Sequence, residues 1–155
     1  MIQKTMADRG TGRTGALPGA GPELTAVRLV GALLALAVSA VHVADQGGVT
    51  AFNSPDWIGW GYRLIEVGGV LTALAVFLPR PAWLGWAAGA LLGTGPFLAY
   101  LASRTVGVPG DPGDVGNWGY WVGTVSLFVE AALIVLSLLT LTDRNRDAWH
   151  GRAAT

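Results

Sequence analysis

Four stretches of this chain are apolar over the length a helix needs to cross a bilayer, and that pattern leaves few folds open. A spanning helix takes about 20 mostly apolar residues at about 1.5 Å rise each. Residues 24–44 meet this with only Arg28 near one end and His42 near the other. Residues 57–78 meet it if Arg63 and Glu66 are tolerated, and 82–103 carry no formal charge at all. Residues 118–141 are interrupted once, by Glu130. These runs are too long for strands and lack the period-two alternation of a membrane barrel. The expected fold is all-α, an integral membrane four-helix transmembrane bundle.

Composition agrees. Charged residues are 13% and hydrophobic residues 52% of the chain, whereas a soluble domain carries about a quarter charged residues. Ten basic and ten acidic residues cancel, so no nucleic-acid partner is implied and the bilayer is the partner expected first. Cysteine is absent, which removes disulfides, thiolate metal sites and thiol redox chemistry.

Basic residues resist translocation and set orientation. Lys4, Arg9 and Arg13 precede the first span, Arg80 lies in the turn between the second and third, and Arg144, Arg146 and Arg152 follow the fourth. Residues 45–56 and 105–117 contain no Lys or Arg. Both termini are therefore expected in the cytoplasm (N-in/C-in), with those two loops on the outer side of a multi-pass cell-membrane protein. Trp57, Trp60, Trp118, Tyr120 and Trp121 would form the outer aromatic belt, and Trp83 and Trp86 the inner one. Residues 1–22, rich in Gly, Thr and Pro, read as a disordered cytoplasmic tail, 23–142 as the transmembrane domain and 143–155 as a second tail. A cleavable signal is the competing reading of the first run, with Ala37-Val38-Ser39-Ala40 as the cleavage region; its removal would leave three spans.

Helices in lipid associate through small residues that let backbones approach. Each span has such a stripe: Gly31, Ala35 and Ser39 leading to His42; Gly69 and Ala73 after Glu66; Gly85, Gly89 and Gly93 leading through Pro96 to Tyr100 and Arg104; Gly119, Gly123 and Ser126 leading to Glu130. The stripes predict that the ionisable residues face the bundle, and Gly95-Pro96 predicts a kink that opens space beside them. They also fit a homo-oligomer or a subunit of a membrane complex. Both outer loops end in Trp-Gly-Tyr, at Trp60–Tyr62 and Trp118–Tyr120. The tripeptide is short and sits differently relative to the Glu that follows, so it reads as coincidence rather than duplication.

A charged group in hydrocarbon costs at least about 2.5 kcal/mol and needs a reason. Arg63 stands one turn before Glu66 as a possible partner; Glu130 has no basic residue within its own helix. Each Glu can be a proton or ligand site, or a buried hydrogen bond that fixes register. His42 and Asp45, one turn apart, would need a third ligand such as Glu66 to hold a metal, so no metal site is expected. Asp111, Asp114 and Asn117 do not match a calcium-loop spacing and read as a solvated turn. A bis-histidine haem is excluded because the other histidine, His150, lies in the tail, and a retinal Schiff base because no span contains Lys. No cofactor is implied.

The run Ser103-Arg104-Thr105-x-Gly-x-Pro, the Trp downstream and the Ser126–Glu130 segment resemble a group of small, functionally uncharacterised four-helix membrane proteins of actinobacterial type. The resemblance covers about residues 24–141. It implies the four-helix architecture and a meaningful Ser103-Arg104-Thr105 corner, and no activity.

The sequence thus points to a non-enzymatic binding or assembly subunit. Its polar patch (His42, Asp45, Arg63, Glu66, Tyr100, Arg104 and Glu130) lies near the outer helix ends. The alternatives are a membrane enzyme acting on a lipid or quinone-like substrate, and a proton-coupled transporter or oligomeric channel.

Overall fold

The computed structural model describes residues 22–78 and 82–153, with side chains over 23–78 and 83–143. Of the tail expected over residues 1–22, all but Pro22, which begins the first helix, lies outside the described residues, as does the turn carrying Arg80. Four α-helices make up most of the described residues: α1 (Pro22–Gln46), α2 (Asp56–Ala75), α3 (Ala82–Thr105) and α4 (Trp121–Ala153), with a short 3-10 turn at Pro112–Asp114. Three of them, α1, α3 and α4, are long and apolar enough to cross a membrane. α2 does not reach the same hydropathy, because Asp56, Arg63 and Glu66 fall within 20 residues.

Two boundaries differ from expectation. α2 stops at Ala75 and not at residue 78, its end closed by a Val76 N–H bond to Thr72 O. α4 begins at Trp121, three residues later than expected, and runs well past residue 141; its apolar section is Trp121–Asp143. Trp118 and Gly119 are consequently exposed loop residues, and Gly119 packs against nothing.

The helices form a ring in chain order. α1 packs mainly on α2 and α4, and α3 on α4 and α2, while α1 and α3 meet only slightly across the diagonal. The approaches are set by glycine. A Cβ on Gly85 would lie 2.6 Å from the Ala75 carbonyl oxygen, one on Gly93 2.9 Å from Glu130 O, and one on Gly89 2.7 Å from the Ser137 Oγ. Real Cβ atoms do not approach so closely, so each position needs hydrogen in place of a side chain. Gly31 meets the ring of Trp86 instead. Trp86 is therefore not an inner-belt residue: it is 1% exposed and joins Ala35, Val38, Val76 and Leu133 in the apolar core.

Polar positions repeat along the inward faces, with Gly123, Ser126, Glu130 and Ser137 buried on α4 and Ser39, His42 and Gln46 on α1. The outward faces are the reverse: Leu33, Leu64, Leu91 and Phe128, one from each helix, are at least 65% exposed. An apolar exterior around a polar-studded interior is the arrangement that lipid demands and water does not tolerate over more than a few hundred Å².

α1 ends in a Schellman turn, which decides where the first loop goes. Gly48 N–H bonds Val43 O at 2.8 Å and Gly47 N–H bonds Ala44 O at 3.1 Å, with Gly47 at φ +93°. Only glycine adopts that φ freely. The two loops at this end touch: Trp57 Nε1 donates to Pro109 O at 3.2 Å, and a Cβ on Gly110 would strike Pro55.

Candidate functional site

At the end where α1 and α3 finish and α2 and α4 begin, the four helices leave a cavity of about 510 Å³. Pro96 lines it on α3, beside Ala99 and Tyr100. Its apolar surface comes from Val41, Ile58, Ile65 and Val122, and its polar surface from every helix and the second loop.

Glu130 lies deepest, 1% exposed. Its Oε1 accepts a hydrogen bond from Ser126 Oγ one turn earlier, and its Oε2 is buried without a partner. His42 Nε2 stands 3.8 Å from Oε1. The tautomer of His42 follows from geometry: Nδ1 lies 2.9 Å from Val38 O, a carbonyl that can only accept. Nδ1 therefore carries hydrogen, and in the neutral ring Nε2 presents its lone pair to Glu130.

Asp45, one turn after His42, forms the side wall. The Tyr62 hydroxyl donates to its carboxylate, and the Tyr62 ring meets His42 edge-on at 5.5 Å. Tyr120, just before α4, turns to the same carboxylate; that hydrogen bond first, and burial second, push its phenol up to about 12.

Arg104 closes the mouth. Its guanidinium, 5% exposed, pairs with Asp114 of the second loop and lies 4.5 Å above the Tyr100 ring. Its Nη1 donates to Ser103 Oγ at 3.3 Å, and its carbonyl accepts from Gly116 N–H at 2.9 Å. The Ser103-Arg104-Thr105 corner thus holds the loop to the bundle by both side chain and backbone. Tyr100 lies against Gly123 of α4, where any Cβ would run into its ring, and its hydroxyl is buried without a partner.

The single polar patch expected from sequence divides in two. His42, Asp45, Tyr100, Arg104 and Glu130 all line the cavity; Arg63 and Glu66 do not. Those two pair with each other across one turn of α2, on the seam with α1. Arg63 also donates to Ala51 O, as does Gln46 Nε2, and Ser39 Oγ donates to Glu66 O at 2.7 Å. This cluster ties the first loop to the α1–α2 seam, a role in architecture. Glu66→Gln is therefore expected to cost about 1.5–3 kcal/mol of stability, the range for hydrogen bonds to charged groups, and to leave the cavity unchanged. Thermal unfolding in detergent checks the first part.

Tyr62, Tyr120 and Asp114 were not among the site residues expected from the sequence, which put Tyr120 in the aromatic belt and Asp114 in a solvated turn. The repeated Trp-Gly-Tyr carried the signal for two of them, since both tyrosines turn to Asp45. Asp114 had none, because only the fold brings the loop over Arg104.

Among the described residues no three His, Asp or Glu side chains come together as a metal would require. Beneath Glu130 the bundle closes: Val38, Val76, Trp86 and Leu133 are each no more than 1% exposed. The lining reaches the second loop through Val108, Asp111, Asp114 and Asn117. No protein-family model, no curated protein and no solved structure matches this chain.

Proposed function

We propose that this is a small multi-pass protein of the cell membrane that binds a small molecule in the cavity between its helix ends. The supporting observation is the buried Oε2 of Glu130, an acceptor with no partner at the bottom of a 510 Å³ space. A buried polar atom left unsatisfied costs about 1–3 kcal/mol, and a ligand donor would recover that. Ligand sites are concave and mostly apolar with a few convergent polar groups, as here.

In this reading all four helices cross the bilayer. α2 rises about 30 Å over its length, which equals the hydrocarbon thickness, and its Arg63 and Glu66 point to α1 and not to lipid. The positive-inside pattern places both termini in the cytoplasm and residues 45–56 and 105–117 outside. The cavity then faces outward. α4, about 50 Å long at helical rise, extends past the inner interface.

The closed core beneath Glu130 favours binding over conduction. The assembly reading loses its sequence argument, because Gly69, Gly85, Gly89, Gly93 and Gly123 all meet neighbours within the same chain.

Native mass spectrometry from a mild detergent tests the proposal. A retained small molecule, lost in Glu130→Gln and kept in Glu66→Gln, is the expected result. An oligomer with no added mass would instead favour an assembly subunit.

A further inference from the structure

Resting on the cavity being a binding site, we infer that its ligand is a small organic cation, an alkyl- or arylalkylammonium. The ammonium would lie against Asp45, His42 and Glu130, with the apolar body toward Ile58, Ile65 and Val122.

The argument begins with charge. Four carboxyl groups line the cavity, from Asp45, Asp111, Asp114 and Glu130, against one guanidinium, Arg104, which Asp114 already engages. Among the described residues no Arg or Lys pairs with Asp45 or Glu130. Helix termini do not reverse this balance. Two C-terminal ends (α1, α3) and two N-terminal ends (α2, α4) converge here, and their opposed partial charges offset one another.

Hydrogen-bond polarity points the same way. His42 Nδ1–H is occupied by Val38 O, so its Nε2 can accept. Glu130 offers Oε2, unpartnered and buried in a residue 1% exposed. Asp45 accepts from the Tyr62 hydroxyl, whose oxygen keeps lone pairs that can accept in turn. A wall of acceptors suits a group with donors only, and an ammonium has donors and no acceptor. Tyrosine faces add a third reason. The Arg104 guanidinium already lies over Tyr100, and Tyr62 and Tyr120 offer further π surface of the kind that attracts cations.

Three probes of matched shape separate charge from fit: 2-phenylethylammonium, 2-phenylethanol and 3-phenylpropanoate. Each is titrated against the full chain in an uncharged detergent, followed by its thermal midpoint and by tryptophan fluorescence. The ammonium is expected to bind about tenfold or more tightly than the alcohol, the worth of one charge-assisted hydrogen bond, and the carboxylate more weakly still. In Asp45→Asn and in Glu130→Gln that advantage should shrink severalfold while the alcohol binds as before; the alcohol also reports that each variant is folded. Equal or tighter binding of the alcohol or the carboxylate would overturn the cation assignment and leave a binding cavity for a neutral or anionic ligand. Binding of none of the three would overturn both.

Discussion

Gly69→Ala is expected to destabilise the bundle by about 3 kcal/mol, at the upper end of the range for overpacking. The added Cβ would lie 2.5 Å from Ala35 O, a backbone atom of α1 that cannot turn aside, and would collide with Ser39 Oγ. Displacing Ser39 also breaks its bond to Glu66 O. The matched control is Gly61→Ala on the same helix, where a new Cβ meets nothing within 4 Å. In a helix that change removes backbone freedom from the unfolded chain and should be neutral or stabilising by up to about 1 kcal/mol. Thermal midpoints of the two variants in the same detergent give the comparison. If they match, the α1–α2 seam is not as close as described.

Arg104→Ala should cost about 2 kcal/mol and release the second loop. Removing one partner of a buried ion pair costs about 3–5 kcal/mol. Asp114 is a third exposed, so water recovers part of that loss. The more specific readout is local. Asp114 loses its cation and Tyr100 its stacking partner, so amide exchange over residues 106–117 should rise by about an order of magnitude while the Schellman turn after α1 stays protected. Asp114→Ala should reproduce the loop effect, and the double variant should add little to either single one, as residues in one network behave. Additive losses would mean that Arg104 acts through something other than Asp114.

Much of this architecture was legible in the sequence because lipid makes simple demands. The apolar runs around His42, Arg104 and Glu130 gave the helices, and the small-residue stripes put Gly69, Gly89 and Gly123 on inward faces. Boundaries were less legible: α4 starts at Trp121 because nothing in Trp118-Gly119-Tyr120 signals an end to the loop. Trp86 was misplaced since an indole near a helix end suits a membrane interface as well as a core, and only the facing Gly31 decides between them. The site was half legible. Charge in an apolar run marks a residue as costly without saying what it faces, so Glu66 and Glu130 looked alike. Their difference lies in what stands opposite: Arg63 against one, the cavity before the other.

The sealed core beneath Glu130 has a consequence for what occupancy can mean. On the binding reading proposed above, nothing would pass straight through the bundle, because Val38, Val76, Trp86 and Leu133 fill the space below Glu130. Occupancy would then follow the concentration on the loop side, and the bundle would act as a cup and not a pipe: it could report on one compartment, or hold a molecule for a neighbour, without moving anything between two. Its natural control point would be the rim, where the Arg104–Asp114 contact joins α3 to the second loop.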